Sequence, residues 1–237
     1  MRKEPRPDAP LLTEAVFGAP VVAYERTDGW GHVQLATDSY VGFVPEWALD
    51  VPILVSHRLE VLRSFVFPGP DIKLPPHEML SMGSRVQVVD EQGPFAIIAP
   101  RGYAIARHLV PLSVHEPDFV AVAERFLGTP YLWGGKTSLG LDCSALVQVS
   151  LDAAGMAAPR DSDMQEKALG TEVPFTGAGD LRRGDLVFWK GHVAIARGDG
   201  TLIHANAHHM AVAVEPAAEA IARISAAGSE VTSVRRL

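Results

Sequence analysis

Residues 128–155 read GTPYLWGGKTSLGLDCSALVQVSLDAAG, and this stretch decides how the rest of the chain is understood. It holds Cys143, the single cysteine among 237 residues. Glycines at 134, 135 and 140 form a loop leading straight to it. Beyond it Ala145, Leu146 and Val149 recur at helical spacing until Gly155, so a helix is expected from about Cys143 to Ala154. A thiol at a helix start faces unpaired N–H groups and the positive end of the dipole, which favour the thiolate. A lowered thiol pKa suits a nucleophile, and glycines ahead of it let a substrate backbone approach closely. The competing reading is a buried, inert thiol.

A nucleophile needs a base, and the C-terminal side supplies candidates. Asp185–Trp189 and His192–Ala196 read as strands flanking a tight Lys190-Gly191 link, and Asp199-Gly200 turns into Thr201–Ala205. In such a hairpin His192 and His204 fall nearly opposite each other, so one imidazole takes the thiol proton while the other orients it. The alternative is two strand histidines satisfied by backbone groups. Pro216 opens a further helix to about Ala227, and residues 230–234 form a closing strand. Upstream, Glu116-Pro117 starts a helix through Phe119, Val120, Ala123, Phe126 and Leu127, stopped by Gly128. Ser162-x-x-Gln165 reads as a capping box. Helices first and strands afterwards make an α+β domain over 115–237.

The first 112 residues have another texture. Short alternating runs, such as Gly31–Leu35 and Tyr40–Val44, are punctuated by turns, Asp28-Gly29 among them. Gly42-Phe43 and Gly102-Tyr103 each precede a Leu (Leu49, Leu109) and then a Val-Pro pair. This is a degenerate repeat of one small β module, with domains at 1–55 and 56–114. Asp90–Gly93 is expected to be a turn in the second copy.

Composition limits the function classes. Lys plus Arg number 21 against 28 Asp plus Glu, a net charge of −7 with no basic run. A nucleic-acid groove or anionic-membrane patch is therefore not expected. One cysteine excludes an intrachain disulfide and a thiolate zinc cage. No stretch reads as a signal peptide or membrane span, so a soluble, cytoplasmic protein is expected. Gly135-Lys136-Thr137 mimics the end of a phosphate loop, but Pro130 stands where that motif needs glycine. His204 and His208 are four apart in a strand-then-loop segment, which does not make a metal face; neither metal nor cofactor is expected.

The blocks Tyr131–Gly135, Leu141–Val147, Arg183–Trp189, Gly191–Ile195 and Leu202–Ala205 strongly resemble the NlpC-type cell-wall cysteine peptidases (the NlpC/P-sixty family). The resemblance implies a papain-like α+β fold with Cys143 as nucleophile, His192 as base and His204 as the orienting third member. It places Tyr131 near the oxyanion site. The upstream repeat resembles two small all-β, bacterial SH3-like barrels. That architecture resembles the subgroup that hydrolyses the γ-D-glutamyl–diamino acid (meso-diaminopimelate) bond of murein peptides during cell-wall recycling. In it the first barrel walls off the cleft, so that a substrate with a free N-terminal L-Ala fits. By the same resemblance Asp142 and Ser144 hold substrate, Ser162 contacts it, and Tyr40 matches a barrel tyrosine. The family often has an acid where this chain has Ala19, which leaves Glu14 or another group as a replacement. On charge grounds Asp142, next to the thiol, is also the candidate partner for the substrate ammonium; its other reading is a helix cap.

The function expected is thus a cysteine endopeptidase acting on murein-derived peptides. Two alternatives stand beside it: an exported hydrolase cutting stem peptides of intact peptidoglycan, and a non-enzymatic peptide-binding protein built on its SH3-like modules.

Overall fold

The alternating runs of the N-terminal half become strands. In β1 (Val21–Thr27), β2 (Trp30–Leu35) and β3 (Val41–Pro45) the inward positions of β2, Val33 and Leu35, are buried, and the three strands form an antiparallel sheet in that order. Asp28 and Gly29 both take positive φ, 52° and 79°, as a two-residue hairpin turn requires. Tyr40 packs against the small core of Met1, Val33, Leu35 and Val44.

Residues 57–111 form a second sheet. Its strands are β4 (His57–Leu59), β5 (Arg63–Phe67), β6 (Glu78–Ser81), β7 (Arg85–Gln92), β8 (Phe95–Ala99), β9 (Gly102–Ile105) and β10 (Leu109–Pro111). The order is β10-β4-β7-β8-β9-β5-β6, around Leu59, Val66, Leu80, Val86 and Ile98. The sequence repeat maps onto matching elements. Gly42-Phe43 lies in β3 and Gly102-Tyr103 in β9, and each strand runs into a single 3-10 turn, Glu46–Ala48 or Ala106–His108, before its leucine. Asp90–Gln92 is not a turn: β7 continues to Gln92 opposite Phe95, with a register shift after Val88 that lets the strand carry on.

The computed structural model describes residues 1–237, and contacts divide it into Met1–His115 and Glu116–Leu237. The second unit begins with α1 (Phe119–Arg125). Asp118, rather than Pro117, sets its start, because the Asp118 carboxylate accepts the Val120 N–H at 2.9 Å. A short ribbon, β11 (Lys136–Thr137) with β12 (Gly140–Leu141), leads to α2 (Cys143–Ala153), then to α3 (Ser162–Ala168). A six-stranded antiparallel sheet follows from β13 (Thr171–Glu172), β14 (Leu186–Trp189), β15 (His192–Ala196), β16 (Thr201–Asn206), β17 (Ala211–Pro216) and β18 (Val231–Arg236), ordered β13-β18-β14-β15-β16-β17. The helix α4 (Ala217–Ala226) lies between the last two in sequence.

The helix α2 is buried almost all round, not only along the Ala145/Leu146/Val149 face, because it lies against β15, β16 and α1; of its residues only Asp152 is exposed. That burial fixes the sulfur at its first residue relative to the sheet. The capping box at Ser162 does not form. Asp161 precedes the helix, Ser162 is already helical, and the Gln165 side chain is buried, donating to the carbonyls of Ser144 (2.8 Å) and Pro159 (2.9 Å). Burial of a polar amide outweighs the local cap, since both bonds tie α3 to α2 and its approach.

Candidate active site

The Gly-rich loop folds upon itself. Gly134 takes φ +76° and donates its N–H to Asp142 Oδ2 at 2.9 Å. A Cβ on Gly135 would lie 2.5 Å from the Gly140 carbonyl, and one on Gly140 2.8 Å from Leu132 Cβ. These two glycines therefore serve the loop's own close packing, not the approach of a ligand backbone as the sequence alone implied. Residues 128–131 run along the edge of β17, with Gly128 N–H on Val212 O and Tyr131 N–H on Met210 O, so Tyr131 is delivered to the same end of the sheet.

Asp142 is the node of this loop. Its Oδ1 accepts from Ala145 N–H at 2.9 Å, capping α2, and from Ser144 Oγ at 3.2 Å. Arg160 binds it in a fork, Nη1 to Oδ1 at 2.9 Å and Nη2 to Oδ2 at 2.7 Å. The same Nη1 reaches Ser144 Oγ at 2.9 Å, and Nη2 reaches Gly135 O at 3.2 Å. With Arg160 only 1% exposed, this is a buried, bidentate ion pair. Asp142 thus has its charge matched inside the protein by Arg160. Ser144 is likewise engaged within the cluster. Nothing in the sequence reading had singled out Arg160.

Cys143 is buried, and its sulfur is hydrogen-bonded by the backbone N–H groups of Ser144 and of Val193, the residue after His192. Burial, with the charge of Asp142 added, pushes the thiol up to about 11, against the pull of those N–H groups and of Arg160. Burial likewise pushes His192 down to about 3, helped by His204 and Arg223. Desolvation thus works against the thiolate that the helix start favours. Iodoacetamide modification of Cys143 is accordingly expected to accelerate by about tenfold per pH unit between pH 6 and 9. A rate already level at pH 6 would contradict this.

The two histidines do meet. The hairpin register pairs Ile195 with Ile203, and the rings bond across it, His192 Nε2 to His204 Nδ1 at 2.8 Å. Trp189, the cross-strand partner of His192, covers its ring at 5.7 Å between centroids. On its far side His204 Nε2 contacts Glu215 Oε1 at 2.7 Å, and Arg223 Nη2 reaches the same oxygen at 2.5 Å. Glu215 and Arg223 were absent from the sequence-derived set. Glu215 is one strand over from His204 and two residues beyond its partner Ala213, on the same face.

Tyr131 is half-buried, and its phenol is pushed up to about 12, by burial first and then by the charges of Cys143 and Asp142. It therefore keeps its proton and remains a hydrogen-bond donor. Ser162 is half-buried at the first turn of α3. Tyr40 belongs to the N-terminal unit, as does Glu14, whose charge acts on the Met1 ammonium.

Known proteins share this organisation. Residues 128–226 match the NlpC/P60 family, and residues 1–49 match the bacterial dipeptidyl-peptidase SH3 domain. The gamma-D-glutamyl-L-lysine dipeptidyl-peptidase of Bacillus subtilis is 27% identical over 219 residues, which cover 83% of this chain and 73% of that protein. Dipeptidyl-peptidase 6 of Lysinibacillus sphaericus is 33% identical over 102 residues, 43% of this chain, and the match spans only 36% of that protein. A crystal structure of an NlpC/P60 family protein from Bacillus cereus superposes with a TM-score of 0.76 at 22% identity, covering 94% of this chain and 81% of the other, which is a likeness of fold.

Proposed function

We propose that the chain, whose residues 128–226 match the NlpC/P60 family and whose residues 1–49 match a bacterial SH3 domain, is a peptidoglycan-related cysteine peptidase that hydrolyses the γ-D-glutamyl–diamino acid bond of murein peptides whose N-terminal L-Ala is free. The observation that carries the reading is the Cys143 sulfur held against the backbone N–H of Val193, the residue next to His192, whose ring bonds His204 at 2.8 Å. The reading gives Cys143 the role of nucleophile and His192 that of general base. The thiol proton passes to His192 as Sγ attacks the γ-glutamyl carbonyl carbon. The C–N bond then breaks, and His192 returns the proton to the leaving amine of the diamino acid. Water, deprotonated by the same imidazole, hydrolyses the thioester and restores the thiol. Tyr131, a phenol that holds its proton, suits the developing oxyanion.

The relatives named for a γ-D-glutamyl-L-lysine bond support the bond type; meso-diaminopimelate in place of lysine is the specific form proposed here. The reading includes a second SH3-like module at 56–114, supported by the matched strand-turn-leucine elements of the two halves. It also includes action on small peptides in the cytoplasm during recycling. A net charge of −7 without a basic run offers no grip on a polyanionic wall. Ser162 and Tyr40 are proposed as substrate contacts on the family resemblance.

The test offers the purified protein L-Ala-γ-D-Glu-meso-diaminopimelate, the same tripeptide N-acetylated, and intact sacculi. Cleavage of the free-amine peptide is expected to exceed that of the acetylated one by about 10²-fold or more. Equal turnover of the two would end the selectivity claim, and release of stem peptides from sacculi would favour a wall hydrolase.

A further inference from the structure

We propose that Glu215, held as an anion by Arg223, is a positioning residue that fixes which nitrogens of the two imidazoles carry protons, and thereby leaves a bare nitrogen of His192 for the Cys143 thiol. The proposal rests on the reading above that His192 is the base for Cys143. It follows from counting donors and acceptors. Glu215 Oε1 takes the Arg223 guanidinium at 2.5 Å and His204 Nε2 at 2.7 Å. An Arg cannot accept, and a carboxylate cannot donate. The His204 proton therefore sits on Nε2, and in the neutral ring Nδ1 is a lone pair. That lone pair lies 2.8 Å from His192 Nε2, which must then be the donor. His192 Nδ1 is left bare, and it is the one ring nitrogen not engaged by His204. The sulfur lies against the backbone N–H of Val193, the next residue. Each assignment forces the next, and the chain of bonds starts at Glu215.

The charged groups around the imidazoles are few. From β17 comes Glu215, from α4 Arg223, and from the turn between β16 and β17 His209, whose Nδ1 is 4.0 Å from Glu215 Oε1. Asp142, the residue before Cys143, has its charge matched by Arg160. Burial pushes Glu215 toward protonation, but the bonds and charges from Arg223 and His204 more than offset it, so its pKa lies below the ordinary value. A merely structural role would make Glu215 a tie between β17 and α4. That role is indifferent to where the histidine protons sit, so the two can be told apart.

The experiment reads the protons directly. Histidine labelled with ¹⁵N at both ring positions is placed in the full chain. Wild type, Glu215→Gln and Glu215→Leu are compared by ¹⁵N chemical shift, with kcat and KM measured on the tripeptide. In wild type, His204 is expected to show a protonated Nε2 and a bare Nδ1, and His192 a protonated Nε2. The Gln carbonyl accepts both donors, so Glu215→Gln is expected to keep that pattern and stay within about tenfold of wild-type kcat. Glu215→Leu is expected to mix the tautomers and lower kcat by about 10²-fold or more with KM little changed, as loss of an orienting carboxylate does in catalytic triads. A wild-type His204 protonated on Nδ1 overturns the proposal even if Glu215→Leu fails to fold. So does a folded Glu215→Leu with the wild-type pattern and kcat. If the wild type shows the expected pattern yet cleaves no γ-glutamyl peptide, the substrate reading fails and the tautomer assignment stands.

Discussion

Replacing Cys143 by alanine is expected to lower kcat on the murein tripeptide by about 10⁴-fold or more while the protein stays folded. The size follows from the step removed. Without sulfur there is no thioester, and His192 and Tyr131 can only assist direct attack by water. The structural cost is small, because the side chain loses one buried atom at the first turn of a helix already held by Asp142 and by its packing on β15 and β16. Circular dichroism and a thermal melt check the fold, and steady-state kinetics with a leaving-amine assay check the rate. Retention of more than about one per cent of kcat would remove the sulfur from the mechanism. Serine at 143 is expected to fare little better, since a buried hydroxyl is a far weaker acid than a thiol and the same neutral imidazole must deprotonate it.

Replacing Arg160 by methionine is expected to cost about 3–5 kcal/mol of stability, because it leaves the Asp142 carboxylate buried without its counter-charge. Three bonds to Asp142 and Ser144 and one to the Gly135 carbonyl disappear together. For a unit of this size the melting midpoint should fall by about 10 °C or more. Much of the loss should return in the double variant that adds Asp142→Asn, which keeps the cap on Ala145 while removing the stranded charge. Calorimetric or fluorescence melts of the four proteins give the cycle. A single-variant loss below about 1 kcal/mol would show that the pair contributes nothing beyond an exposed one. Activity should fall as well, because the loop that carries Tyr131 and the start of α2 hang from the same carboxylate.

The residues that bear chemistry were more legible than those that hold them in place. Cys143, His192 and His204 stand out because each follows or precedes glycine punctuation in short, strongly patterned segments, and local pattern is what a sequence displays. The hairpin turning at Asp199-Gly200 brought the histidines together by chain geometry alone. Arg160 and Gln165 were invisible as partners. They act across 18 and 21 residues on Asp142 and on the Ser144 carbonyl, and nothing local specifies those distances. Glu215 does carry a signal: a lone acid just after the apolar run Ala211–Val214, on the strand after His204, at the phase that shares its face. The thiol's ionisation is not legible for a different reason. A helix start is visible in sequence, whereas the near-complete burial that works against it is a property of the packed domain. Pro117 and Ser162 show the same limit on a smaller scale, where neighbouring aspartates took the positions just ahead of α1 and α3.

The hairpins that carry His192, His204 and Glu215 follow one another without interruption, whereas the sulfur comes from a helix well upstream. During synthesis the cysteine therefore leaves the ribosome long before any imidazole that could help it. Until the last strands emerge and the helix seats against them, the nascent polypeptide carries an ordinary, unassisted thiol. Hydrolytic power arrives only with completion of the domain, which spares the growing chain and its neighbours from a half-built nucleophile.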